Sequence, residues 1–136
     1  MDASKRYLIL SLDGESFAMP ISSLLEITAL RGLQKDPKLS DIFEGKIDYR
    51  GKIIPVLNLK KLLQLPGKPG ASLLVTKSGK GILGILVDSA SELLETQERP
   101  AAIPRGVVNA GLTYYAGILR NRENLVLLLN EDGLLP

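Results

Sequence analysis

The sequence predicts an all-β protein made of two similar small barrels packed together. Three observations carry this. Apolar runs are short and closely spaced, turn signals separate them, and no long 3.6-residue period appears. Hydrophobic residues make up 45% of 136, enough for a packed core in one ordinary domain or two very small ones. The second half also echoes the first at a fixed offset of 72 residues.

The elements follow in order. YLILSL (7–12) reads as a strand, Asp13-Gly14-Glu15 as a turn, and SFAMPI (16–21) as the return strand of a hairpin. SSLLEIT (22–28) continues as strand or one helical turn, and residues 31–44 read as loop. Residues 45–57 give two short strands joined at Tyr49-Arg50-Gly51, the second interrupted by Pro55. A proline there favours an edge or irregular strand, because it has no N–H for a ladder. Asn58 can cap a short helix that gathers Leu59, Leu62 and Leu63 on one face, with Lys60 and Lys61 turned to solvent. LPGKPG (65–70) is a breaker, so the boundary between the barrels is expected near 65–71 within one 1–136 domain. Strand 7–12 could still pair with the second barrel. SLLVT (72–76) and ILGILVD (82–88) form a second hairpin. SELLETQ (91–97), a loop with Pro100 and Pro104, and strands at 107–111, 114–121 and 124–129 complete the chain.

The echo sets FEGKIDYRGKIIPVLNLKKLL (43–63) on YAGILRNRENLVLLLNEDGLL (115–135). Gly45 meets Gly117, Arg50 meets Arg122, Asn58 meets Asn130, and Leu62-Leu63 meet Leu134-Leu135. Leucine matches are cheap, but Gly, Arg and Asn matches in one register indicate duplication. Pro55 meets Leu127, so the proline belongs to one copy alone. The seam between two such barrels is a natural groove for a partner.

Absences narrow the function. With no Cys and no His, disulfides, thiolate nucleophiles, Cys/His zinc sites and histidine acid–base catalysis are excluded. No window has the roughly 20 apolar residues of a membrane span. The apolar N-terminal run is too short for a secretory leader, so a soluble cytoplasmic protein is expected. Net charge is +2, with the first seventy residues at +3 and the remainder at −1. That leaves a small-barrel nucleic-acid binder as the alternative, with steep salt dependence as its signature, though two Phe and four Tyr form no evident base-stacking set. GKGILG (79–84) is a literal G-x-G-x-x-G, but it runs into a strand rather than a helix, which makes it a hairpin turn. Arg50 is the informative polar residue. A guanidinium held at the rim of a strand pair can make forked hydrogen bonds to a partner carboxylate or carbonyl.

GKIDYRGKIIPVLNLKKLL (45–63), GILVDSASELLE (84–95) and YYAGILRNRENLVLLLNEDGLL (114–135), taken in order, resemble the CheW-like family of chemotaxis coupling proteins. The resemblance covers nearly the whole chain. It implies a pair of five-stranded SH3-like barrels, no catalysis and no cofactor. It implies an adaptor linking the cytoplasmic tips of chemoreceptors to the regulatory domain of a CheA-type histidine kinase, recruited to receptor arrays without entering the membrane. By this resemblance Tyr49, Arg50 and Gly51 belong to the receptor-facing region. Val56 and Leu57, as core or groove wall, complete the expected partner-binding set, and segment 52–57 is expected to offer strand edge to a similar domain. Asn58 and Asn130 stand where the family often has Asp, which preserves the cap but removes two charges.

Overall fold

The computed structural model describes residues 5–104 and 114–134. The strand expected at 107–111, and Leu135, lie outside the described residues. Ten strands are described: β1 (Lys5–Leu12), β2 (Glu15–Pro20), β3 (Leu24–Ala29), β4 (Phe43–Tyr49), β5 (Lys52–Asn58), β6 (Ser72–Ser78), β7 (Gly81–Val87), β8 (Ser89–Thr96), β9 (Tyr115–Asn121) and β10 (Asn124–Leu129). Helix α1 (Leu59–Leu62) follows β5, and α2 (Glu131–Leu134) follows β10.

The strands form two five-stranded sheets, ordered β3-β6-β7-β5-β4 and β8-β1-β2-β10-β9. The first sheet, from 24 to 87, is the inner lobe, and it is continuous in sequence. The second, the outer lobe, takes its first two strands from the N-terminus and the rest from residue 89 onward. Each half of the sequence therefore donates its hairpin to the lobe of the other half. This corrects the boundary near 65–71. That segment joins α1 to β6 within one sheet, and a Cβ on Gly70 would overlap the carbonyl of Val87. The chain passes between lobes at the 3-10 turn Ile21–Ser23 and at Asp88. Pro and Gly mark a break in secondary structure, which need not be a break in packing.

The reason for the exchange is written in β1 and β7. Leu8, Leu10 and Leu12 face a central core shared with Leu57, Leu59, Leu74 and Ile85. On the opposite face Tyr7 and Ile9 pack with Ala18, Leu119, Val126 and Leu128 inside the outer lobe. Likewise Leu83, Ile85 and Val87 enter the central core, while Leu86 packs with Ile47, Ile54, Val56, Leu73 and Val75 inside the inner lobe. Strands apolar on both faces must be covered on both faces. Each fully buried Leu, Ile or Val contributes roughly 1.5–3 kcal/mol, so these strands hold the lobes together.

The duplication holds atom for atom at several points. Val56 pairs with Gly84 in parallel, and Leu128 with Ala18. The Asn58 amide donates to the Ile42 carbonyl at 2.8 Å, and the Asn130 amide to the Tyr114 carbonyl at 2.8 Å. Gly45 (φ 150°) and Gly117 (φ 155°) are equivalent points of close approach. A Cβ at Gly45 would overlap the Gln34 carbonyl, and one at Gly117 would lie 2.9 Å from the Ala101 oxygen. Those are the points where Gln34 and Ala101 bridge the edge strands β4 and β9.

Pro55 is not on an edge strand, because β5 lies between β7 and β4. This corrects the expectation for 52–57, whose later half cannot offer an edge. The parallel ladder to β7 begins at Val56, one residue after the proline. In the outer lobe it begins at Leu127, the counterpart of Pro55. The Lys46–Pro55 pair lies an odd number of steps from the hydrogen-bonded Tyr49–Lys52 pair. Antiparallel alternation therefore aims the Pro55 nitrogen away from β4, toward the side where pairing has not yet started.

Asn58 caps α1, its side chain accepting from the Lys61 amide at 3.2 Å. Lys61 is exposed as expected, but Lys60 is buried. Its ammonium lies 2.8 Å from Asp88 Oδ1 and donates to the Lys68 carbonyl at 2.9 Å. The other Asp88 oxygen accepts from the Asp13 amide at 2.7 Å. On the other side, Asp132, the counterpart of Lys60, accepts from the Gly79 amide at 3.0 Å. The Lys60 ammonium first, and then the Asp13 amide, hold the Asp88 carboxyl below the ordinary carboxylate range.

Two outcomes follow. Gly45→Ala and Gly117→Ala should each cost about 1–3 kcal/mol and lower Tm by roughly 4–10 °C, read by thermal melts. Because the Asp88 pKa is depressed on folding, its stabilisation is present above the unfolded value of about 3.9 and is lost as pH falls through the folded one. Below about pH 4 the Tm of the native chain should therefore fall more steeply than that of Asp88→Asn.

Candidate functional site

The turn between β4 and β5 is a two-residue loop, Arg50-Gly51, closed by the Tyr49–Lys52 pair. Both loop residues have positive φ, 52° and 85°, the type I′ geometry that matches sheet twist. A non-glycine residue in that region costs roughly 1–2 kcal/mol, and local bonds offset it. Asp48 Oδ1 accepts from the Gly51 amide at 2.7 Å. Arg50 Nη2 donates to Glu26 Oε1 at 2.9 Å, and the Tyr49 hydroxyl donates to the same oxygen at 3.3 Å. The guanidinium sits 5.4 Å from the centre of the Tyr49 ring, within cation–π range.

Glu26 lies on β3, one edge of the inner sheet, and Tyr49 ends β4, the other edge. The three side chains therefore clasp the two edges together. In the outer lobe Asn121, the counterpart of Tyr49, donates to Glu92 Oε1 on β8 at 3.3 Å. Glu92 pairs with Ile9 as Glu26 pairs with Val75. The clasp is thus part of the duplicated design, and the ion pair of Arg50 with its carboxylate is particular to the inner lobe. Arg122 keeps the positive φ of Arg50, at 58°. The Arg50 side chain remains 76% exposed. One nitrogen holds Glu26, and the rest of the fork faces solvent.

The structure brings Tyr49, Arg50 and Gly51 together at one rigid tip. It does not bring Val56 and Leu57 there. Both are fully buried, Val56 in the inner-lobe core and Leu57 in the central core. Expected as core or groove wall, they are core: alternation turns them to opposite faces of β5, and both faces are covered. The exposed apolar residue of β5 is Ile53, at 56%, and its counterpart Leu125 is 69% exposed. Leu25 and Ile27 flank Glu26 on β3 and are also exposed. Sequence reasoning missed Glu26, Leu25, Ile27, Ile53 and Leu125. The signals were present: a carboxylate alternating with apolar residues in LLEIT, and Ile53 matched to Leu125 at the repeat offset.

Several clefts open on the outer lobe among the described residues. One of about 460 Å³ lies where β2 and β10 splay ahead of their parallel ladder, beside Leu125 and Asn121. Another of about 780 Å³ is bordered by Lys5, Arg6, Pro20, Ile21, Glu95 and Glu131. Among the described residues no cluster of three His, Cys, Asp or Glu is placed to hold a metal. No helix there is long and apolar enough to cross a membrane. Four of the eleven basic side chains in the first seventy residues are ion-paired among the described residues. Lys46 faces Asp36 at 3.4 Å, Arg50 faces Glu26, Lys60 faces Asp88, and Lys61 faces Asp41 at 3.5 Å.

Fold and site define a two-lobed β adaptor domain, with a rigid cationic tip beside exposed apolar strand residues. The CheW-like domain model matches residues 6–136. The chemotaxis protein CheW of Thermotoga maritima is 30% identical over 138 aligned positions, covering 98% of this chain and 91% of that protein. The chemotaxis protein CheW of Klebsiella aerogenes is 24% identical, covering 96% of this chain and 81% of that protein. The fold matches the scaffolding protein TtCheW from Thermoanaerobacter tengcongensis with a TM-score of 0.84 at 23% identity, covering 93% of this chain and 88% of that one. The chain belongs to the CheW-like family, and its role is that of a chemotaxis adaptor.

Glu26 serves two donors, so its removal should outweigh removal of either. Glu26→Ala should lower stability by more than Arg50→Ala, whose exposed ion pair contributes about 1 kcal/mol or less. Urea melts of the two variants read the difference.

Proposed function

We propose that this chain is a non-enzymatic cytoplasmic adaptor that couples the helical tip of a chemoreceptor to the regulatory domain of a CheA-type histidine kinase. In this reading Tyr49, Arg50 and Gly51 face the receptor, with the exposed Ile53 two residues beyond the turn. The observation that supports it most is the clasped Arg50. Its guanidinium is held by Glu26 at 2.9 Å and stacked near Tyr49, yet most of its donors are open. A cation fixed in this way loses little freedom on binding, so a forked bond to a receptor carboxylate or carbonyl adds affinity and orientation. The exposed Ile53 side chain suits the apolar stripe of a helix. Modest pairwise affinities suffice, because an array multiplies them. No cofactor takes part.

The clean variant is Arg50→Ala, since Arg50→Glu would set two carboxylates against each other at the clasp. Calorimetry with a receptor cytoplasmic fragment should show a loss of roughly tenfold, about 1.4 kcal/mol. Binding to the kinase regulatory domain should be retained, and the melt should move by only a few degrees. Failure of the native chain to bind any such kinase domain from its own organism would sink the adaptor reading. Unchanged receptor affinity in Arg50→Ala would remove this tip from the site.

A further inference from the structure

In a two-residue hairpin loop the flanking residues pair with each other, and the amide of the second loop residue has no ladder partner. At the tip of the inner lobe that amide belongs to Gly51, between the paired Tyr49 and Lys52. Asp48 Oδ1 accepts from it at 2.7 Å. Asp48 itself is exposed, so the bond is made at the surface, beside the guanidinium.

Residue type alone leaves this loop under-determined. Glycine takes either sign of φ about as readily, so nothing intrinsic to Gly51 fixes its φ at 85°. Arginine disfavours a positive φ, yet Arg50 stands at 52°. The peptide plane between the two residues carries the Gly51 amide. A bond from the strand to that amide therefore restrains the residue on each side of the plane.

The second copy shows the loop without this bond. Arg120 stands in the place of Asp48, and Glu123 in that of Gly51. An arginine side chain has no acceptor to offer. Arg122 keeps a positive φ of 58°, but among the described residues Glu123 does not share it. The side chains differ too. Arg50 is bound to Glu26 at 2.9 Å. Arg122 makes no ion pair among the described residues, although Glu92 occupies the place of Glu26. The docked arginine goes with the bonded loop.

We propose that Asp48 is a positioning residue for receptor binding, resting on the reading of Arg50 as receptor-facing. By accepting from the Gly51 amide it holds the loop in the conformation that lays the guanidinium on Glu26. It acts through its oxygen as an acceptor and not through its charge.

Three variants separate these roles. Asp48→Ala removes the acceptor, Asp48→Asn keeps Oδ1 and removes the charge, and Arg50→Ala removes the cation. Calorimetry with a receptor cytoplasmic fragment should show Asp48→Ala binding several-fold more weakly, up to the roughly tenfold loss expected of Arg50→Ala. Asp48→Asn should bind as the native chain does. The double variant of Asp48→Ala with Arg50→Ala should bind no more weakly than Arg50→Ala, because residues that act as one unit are not additive. Hydrogen exchange followed by NMR should be faster at the Gly51 amide in Asp48→Ala and near native in Asp48→Asn, with every melt within a few degrees of the native chain. Unchanged affinity or unchanged Gly51 exchange in Asp48→Ala, beside a weakened Arg50→Ala, overturns this inference and leaves the receptor-facing reading standing. Losses that add in the double variant, or an equal loss in Asp48→Asn, also overturn it, since the carboxylate would then meet the partner directly. Unchanged affinity in Arg50→Ala overturns the receptor-facing reading itself, and this inference with it.

Discussion

Everything in this molecule depends on two strands that are apolar on both faces. β1 and β7 cannot be edge or surface strands, because either face left open would put a row of leucines in water. Each is covered by its own lobe on one side and by the opposite lobe on the other. That requirement forces the hairpins to cross over, makes the inner lobe continuous and splits the outer one. Neither lobe is complete without strands donated by the opposite sequence half, so a unit near the lower size limit for independent folding is stabilised by its neighbour.

Duplication supplied a symmetric frame, and the two lobes depart from it at single side chains. The edge clasp exists in both lobes, as Tyr49 with Glu26 and as Asn121 with Glu92. The inner lobe alone adds a salt-bridged arginine to it. The helix-to-turn contact also exists twice, with a lysine on one side and an aspartate on the other. Pro55 against Leu127 shifts the start of a parallel ladder by one residue. Each difference is a single side chain placed on a backbone that the two copies share, which is how similar lobes come to present different surfaces.

Much of the fold was legible because its signals are local. Asp-Gly in a two-residue loop and Asn58 ahead of a leucine face both act within a few residues. Register matches at the repeat offset extended that local reading to the whole chain. Lys60 was misread for the opposite reason. It sits beside Lys61 in a helix of four residues, and only Asp88, twenty-eight positions away, decides which of the two lysines is buried. Val56 and Leu57 were read as core or groove wall, and only the covering of both faces of β5 decides for core.

By itself the sequence determined the class of fold, the duplication, the turn chemistry and the cationic tip, because each follows from residue type and short-range spacing. The tertiary structure alone decided which hairpin joins which lobe, that Glu26 holds Arg50, and that Asp88 and Lys60 meet. Those outcomes depend on contacts between residues far apart in the chain, and no local pattern encodes the partner of a strand whose two faces are equally apolar.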